Sequence, residues 1–318
     1  MTTTDTKTFG LVGLGAMGYP MAQNLARKAP DTAKLVVYDL STKAIEDLYA
    51  EYPEKVVKGE SAEDVFRQAD IIITMLPEGK HVRSVYIGSG TNLKTVNLKD
   101  KILIDSSTID VETSLAVKAH ITQIEPSASF YDAPVSGGVE GAAKGTLAFY
   151  IGIEENDPNF PIVQAATRLM GDENKIIPCG KASLGLVAKI SHNYLGGVMN
   201  VVCCETMNLG IRAGLDPKML YRVLVAGAAR NPLIEHGNCV PGLVSSAPSS
   251  NDYKPGFKAS LMAKDMSLAL QMAETYKSDL VLGSPAIDLY RKALPDLGDY
   301  DFTALYRLFE EQKVKSSS

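Results

Sequence analysis

The chain has 318 residues, 45% hydrophobic and 22% charged, with a formal net charge of -5. That length allows two ordinary domains with a sizeable core, and the acidic balance offers no basic surface for nucleic acid. No uncharged apolar run reaches the roughly eighteen residues of a membrane span. Neither the four cysteines (Cys179, Cys203, Cys204, Cys239) nor the four histidines (His81, His120, His192, His236) have ligand-like spacing, so we expect reduced thiols in an intracellular compartment, no metal, no nucleic acid and no membrane partner.

The opening MTTTDTKTFG shows neither the apolar core of a secretory signal nor the arginines of a mitochondrial leader. TFGLVGL (8–14) reads as a strand and 15–28 as a helix with Pro20 in its first turn. LVVYD (35–39) is a second strand, followed by a helix over 41–52 with Ser41 as N-cap. IIITMLP (71–77) and KILIDSST (101–108) suit buried parallel strands, FYDAPVS (130–136) and LAFYIG (147–152) follow, and 160–170 is helical. The alternation predicts a doubly wound α/β sheet.

The pattern changes near residue 180. The stretch 184–213 is helical and nearly apolar all round, which predicts burial on most sides and a homo-oligomer, dimer or tetramer, to cover its outer face. Asp216-Pro217 starts another helix. A Pro/Ser/Gly-rich loop occupies 240–257, helices are predicted over 258–276, 285–293 and 302–313, and SSS (316–318) reads as a frayed tail. The expected fold is α/β: a Rossmann-type doubly wound N-terminal domain (1–182), then an all-helical C-terminal domain (183–318).

Gly13-Leu14-Gly15-Ala16-Met17-Gly18 is G-x-G-x-x-G directly after a strand and opening a helix. In that context the glycines permit a tight turn and let a pyrophosphate approach backbone N–H groups at the helix N-terminus. Asp39 ends the second strand about twenty residues later, where a carboxylate accepts from both ribose hydroxyls and repels a 2′-phosphate. No arginine follows closely, although Lys43 is near, so NAD is favoured over NADP. The bland alternative is that Asp39 only ends a strand or caps a helix.

Gly185, Lys189, Asn193 and Gly197 recur every four residues, forming one helical stripe with a cation and an amide between two positions that lack side chains. Such a stripe allows close approach by a ligand. An apolar setting lowers the pKa of a lysine and suits it to proton transfer; a lysine snorkelling to water is the competing account. DAPVSGG (132–138) ends an apolar strand in a serine and two glycines, a pattern suited to carboxylates. MLPEG (75–79) and DSST (105–108) end neighbouring strands, where ligands bind in open α/β sheets. Lys264-Asp265, by contrast, reads most simply as a solvated charge pair.

These segments together resemble the β-hydroxyacid dehydrogenases, most closely their 3-hydroxyisobutyrate branch. The likeness is carried in order by GLVGLGAMGYPMAQNL, DAPVSGGVEGAAKGTL, GKASLGLVAKISHN, ETMNLGIRAGLDP, GFKASLMAKDMSLAL and LGSPAIDLYR. It implies Lys189 as catalytic lysine, with Asn193 holding lysine and substrate. It implies Ser136, Gly137 and Gly138 for the substrate carboxylate, Leu76, Pro77 and Thr108 for the cofactor, and Lys264 for both cofactor and substrate. The implied reaction is reversible oxidation of a short β-hydroxyacid to its semialdehyde, with a glyoxylate/succinic or tartronate semialdehyde reductase as alternative. It also implies valine degradation, mitochondrial in many eukaryotes, which leaves matrix and cytoplasm both open. Three departures stand out: Ser183 replaces a common glycine, with little effect expected. His81 replaces a common asparagine. GAARNPLIEHGNC (227–239) lacks an aromatic residue that relatives place near the substrate.

Overall fold

The structure is a computed structural model that describes residues 7–88, 91–254 and 256–315, with side chains through 310. The opening MTTTDT and the SSS tail lie outside the described residues. Residues up to Lys189 form one compact unit and those from Ile190 a second.

The first unit runs β1 (Phe9–Val12), α1 (Gly18–Lys28), β2 (Leu35–Tyr38), α2 (Thr42–Glu51), β3 (Val56–Lys58), α3 (Ala62–Gln68), β4 (Ile71–Thr74), α4 (Gly79–Tyr86), β5 (Ile102–Asp105), α5 (Val111–Ile124) and β6 (Ser129–Asp132). The six strands form one parallel sheet in the order β3-β2-β1-β4-β5-β6. β1 lies in the middle, with Phe9 between Leu35 and Ile71, and the strand order reverses direction at its edge. That is the Rossmann-type arrangement, whose crevice opens at the strand C-termini. β1, β4 and β5 are buried throughout, as strands covered on both faces by helices must be. Ser41 caps α2 as predicted, accepting from the Ala44 N–H.

A smaller sheet follows. β7 (Val135–Ser136), α6 (Gly138–Lys144), β8 (Leu147–Ile151), α7 (Phe160–Arg168) and β9 (Gly171–Pro178) complete the unit up to the long helix α8 (Leu184–Arg212). β7 pairs antiparallel with β8, and β8 parallel with β9. The single strand expected over 130–136 is therefore two. The Ala133 N–H makes the last bond to β5, and Pro134, which has no N–H, starts the passage to the second sheet. Buried Asn24 in α1 donates to the Ala142 carbonyl, tying the helix after the glycine turn to the end of α6.

The second unit continues along α8 into α9 (Pro217–Ala226), α10 (Pro232–Glu235), α11 (Ala259–Tyr276), α12 (Gly283–Leu297) and α13 (Tyr306–Lys315). Asp216 caps α9, accepting from the Lys218 and Met219 N–H groups. The core of this unit includes Cys203, Cys204, Met207, Cys239, Met266 and Tyr290. Burial pushes the Cys203 thiol up to about 11, and the Cys204 thiol well above its usual range. α8 is not covered on every side. Leu195, Val202 and Leu209, seven residues apart, are 61%, 49% and 71% exposed. No helix among the described residues is long and apolar enough to cross a membrane.

Candidate active site

The glycine turn divides into buried and open positions. Gly13 has φ +100, and a Cβ there would lie 2.3 Å from the Met75 carbonyl oxygen. A Cβ on Gly18 would lie 1.9 Å from the Gly13 oxygen, so α1 can start against the turn only with glycine at this place. Gly15 has nothing within 4 Å of its Cβ position, and Gly15 and Ala16 are exposed. The space a side chain would fill above the turn is thus open, at a helix start whose first N–H groups have no helical acceptor. Leu14 is buried and Met17 half-buried. Asp39 faces the turn: Oδ2 accepts from the Leu14 N–H at 2.6 Å and Oδ1 from the Ser41 N–H at 2.7 Å. Each oxygen keeps a further lone pair. These features fit a dinucleotide.

The ends of β4 and β5 are joined by a chain of hydrogen bonds. Asp105 Oδ1 accepts from Thr74 Oγ1 at 2.7 Å and from Ser107 Oγ at 2.6 Å. Having donated its proton to the carboxylate, Ser107 Oγ accepts from the Leu76 N–H at 2.8 Å, and Thr74 Oγ1 accepts from the buried Tyr86 hydroxyl at 3.1 Å. Asp105 thereby sets the Leu76-Pro77 turn and the approach to Thr108. Burial pushes its carboxyl up to about 6, against the Ser107 and Thr74 bonds that lower it. Nearby, the buried Nδ1 atom of His81 has no hydrogen-bond partner.

Lys189 is buried, 7% exposed, and its Nζ donates to Ser136 Oγ at 2.8 Å. The snorkelling account does not hold. Ser136 closes β7, and Gly137 (φ +132) and Gly138 (φ +61) lie exposed beyond it with positive φ angles that favour glycine. Asn193, one turn past Lys189 on α8, is buried and donates through Nδ2 to Asp265 Oδ2 at 2.6 Å. Asp265 is buried too, with Lys264 Nζ 3.2 Å from its Oδ1. The Lys264-Asp265 pair is therefore not the solvated face that its charges suggest.

The two glycines of the α8 stripe have another purpose than admitting a ligand. A Cβ on Gly185 would lie 2.2 Å from the Tyr150 carbonyl oxygen, and one on Gly197 would lie 2.6 Å from Met266 Sδ. What approaches closely is the protein's own chain. Sequence reasoning also passed over Asp105 and Asp132, and read Asp265 as solvated. The available signal was a carboxylate at the end of an apolar strand, or inside an apolar helix face, where burial forces it to find donors.

A family model described as "NAD binding domain of 6-phosphogluconate dehydrogenase" matches residues 8–177, and one described as "NAD-binding of NADP-dependent 3-hydroxyisobutyrate dehydrogenase" matches residues 184–309. The chain is 38% identical to the mitochondrial 3-hydroxyisobutyrate dehydrogenase of Homo sapiens, across 96% of this chain and 87% of that protein. It is 36% identical to the NAD-dependent L-serine dehydrogenase of Pseudomonas aeruginosa, across 96% and 98%. Among solved structures, a Mycobacterium tuberculosis 3-hydroxyisobutyrate dehydrogenase with L-serine superposes with a TM-score of 0.86 at 34% identity, covering 95% of this chain and 99% of that one. The chain belongs to the 3-hydroxyisobutyrate dehydrogenase family of NAD(P)-binding oxidoreductases.

Proposed function

We propose that the protein oxidises a short β-hydroxyacid, HO–CH2–CHX–COO⁻, to its semialdehyde, reversibly and with NAD. When bound, the dinucleotide supplies the hydride acceptor. Ser136, Gly137 and Gly138 hold the substrate carboxylate. Lys189, as the neutral amine, takes the hydroxyl proton, and as ammonium returns it in the reverse direction. Asn193 shares the lysine's helix face and directs amine and substrate, and Lys264 is assigned by resemblance to cofactor and substrate. The observation that supports this reading most is the buried Lys189 Nζ bonded to Ser136 Oγ at 2.8 Å.

The relatives named for 3-hydroxyisobutyrate and for L-serine suggest what X is. The two compounds share the hydroxymethyl and carboxylate groups and differ at the carbon between them, methyl in one and amino in the other. We propose 3-hydroxyisobutyrate first. The dehydrogenase names of the relatives favour this over the semialdehyde-reductase alternative. NAD is favoured over NADP by Asp39 at the turn, by exposed Leu40 beside it, and by Lys43, whose charge is turned to Asp47 at 2.5 Å.

The test is reduced-nicotinamide absorbance with 3-hydroxyisobutyrate and L-serine, each with NAD and NADP, for wild type and Lys189→Ala. Turnover with NAD that falls by roughly 10²–10⁴ in the variant supports the assignment. Retained turnover in Lys189→Ala removes the lysine's role. We also propose a homo-oligomer, because the exposed Leu195, Val202 and Leu209 line one face of α8. A monomeric mass by sedimentation would refute it.

A further inference from the structure

We propose that Asp132 is the positioning residue of the Lys189–Ser136 pair: its carboxylate fixes the start of α8 against β6 and so sets where Lys189 Nζ lies. The inference rests on the catalytic reading of Lys189 given above.

A helix start leaves backbone N–H groups without acceptors, and an N-cap side chain ordinarily meets one of them. At the start of α8 the residue in that place is Ser183. It has φ +66, is buried, and its Oγ has no hydrogen-bond partner. The acceptor comes instead from another strand. Asp132 Oδ1 accepts from the Ser183 N–H at 2.6 Å, and Oδ2 accepts from the Leu186 N–H at 2.9 Å. A carboxylate at a helix N-terminus also has the favourable sign against the helix dipole.

The surroundings are shaped to this group. A Cβ on Gly152 would lie 2.1 Å from Asp132 Oδ1, and one on Gly185 would lie 2.8 Å from Oδ2. The Gly152 N–H in turn donates to the Asp132 carbonyl at 2.8 Å. The carboxylate is 1% exposed, and burial raises its pKa against the two backbone bonds that lower it. A residue that only needed to end a strand would not require two glycines and a left-handed serine around it.

Asp132 is linked to both members of the pair along the chain. Its own chain reaches Ser136 through Ala133, Pro134 and Val135. Leu186 reaches Lys189 in less than one helical turn, a rise of about 4.5 Å. Turning or sliding α8 at its first residues would therefore shift Nζ relative to Oγ, and a shift of about 1 Å is enough to cost on the order of 10²-fold in rate. Asp132 acts on the pair through the helix it holds.

The test compares wild type, Lys189→Ala and Asp132→Asn in kcat, KM, the pH profile of kcat, NADH binding by fluorescence and thermal melting. Asparagine has nearly the same shape but must present an N–H to one of the two donors. We expect kcat to fall roughly 10- to 100-fold in Asp132→Asn and its pH midpoint to move, with NADH affinity within about twofold of wild type. A lower melting temperature with unchanged kcat and unchanged pH midpoint assigns Asp132 to stability alone and overturns the inference. Gly152→Ala leaves the carboxylate in place but displaces it. The same loss and shift are expected there, and a wild-type profile in a well-folded Gly152→Ala enzyme overturns the inference even if Asp132→Asn does not fold. The parent reading fails differently: wild type turns over no hydroxyacid, or Lys189→Ala keeps turnover.

Discussion

Asn193 Nδ2 donates to Asp265 Oδ2 at 2.6 Å, and both side chains are buried. A carboxylate only accepts, so the amide can face it only with nitrogen. Asn193 Oδ1 is then turned to His192 Nδ1 at 2.9 Å, which makes that imidazole nitrogen the donor. Asp265→Ala leaves a buried amide donor unpaired and is expected to lower unfolding free energy by about 1–3 kcal/mol. Asp265→Asn keeps an oxygen in reach and should retain most of it. Urea denaturation of the two variants separates these outcomes.

Asp39 accepts from two backbone N–H groups and faces the glycine turn. Replacing it with alanine removes the acceptor proposed for the ribose hydroxyls and the charge proposed to oppose a 2′-phosphate. Asp39→Ala should weaken NADH binding roughly tenfold or more. It should also narrow the preference for NADH over NADPH. Titration of both reduced cofactors by fluorescence measures the two effects together.

Ser183 has a φ of +66, a left-handed conformation that favours glycine. A left-handed conformation costs a residue with a Cβ about 1 kcal/mol, and the buried hydroxyl has no partner. Ser183→Gly is expected to raise stability by about 1 kcal/mol while leaving the N–H to Asp132 in place. A variant no more stable than wild type in urea would contradict this.

Asp105 gives the protein a pH-dependent liability. Burial raises its carboxyl from 3.8 to about 6, so the folded state keeps a proton that the unfolded chain releases. Between those two values stability falls as pH rises, by roughly 3 kcal/mol at most, and no more is lost above them. Asp105→Asn keeps an acceptor for Thr74 and Ser107 and removes the titration. The melting temperature of the variant relative to wild type should therefore climb from pH 4 to pH 7; a constant difference would show that Asp105 does not titrate in this window.

Much of this was legible in the sequence because it is local. The glycine turn, the Ser41 and Asp216 caps and the long helix from Leu184 each announce themselves within a few residues. The division of 130–136 into two strands was not, because only the pairing of Val135–Ser136 with β8 reveals it. β9 escaped notice because its middle residues are polar and exposed, without the apolar run of a buried strand. The buried carboxylates were hidden because their partners lie far along the chain. Asp132 finds its donors at Ser183 and Leu186, more than fifty residues away along the chain, and Asp265 finds Asn193 across seventy-two. The same gap concealed the purpose of Gly185, whose missing side chain answers to Tyr150.

The cysteines of the helical unit bear on how the cell could act on this protein. The thiolate is the form that reacts with peroxide or disulfide, and burial holds Cys203 and Cys204 as thiols. Cys179, the one cysteine that is not buried, is also shifted away from thiolate by desolvation. An oxidant in the surrounding medium therefore meets no activated sulfur at these three positions.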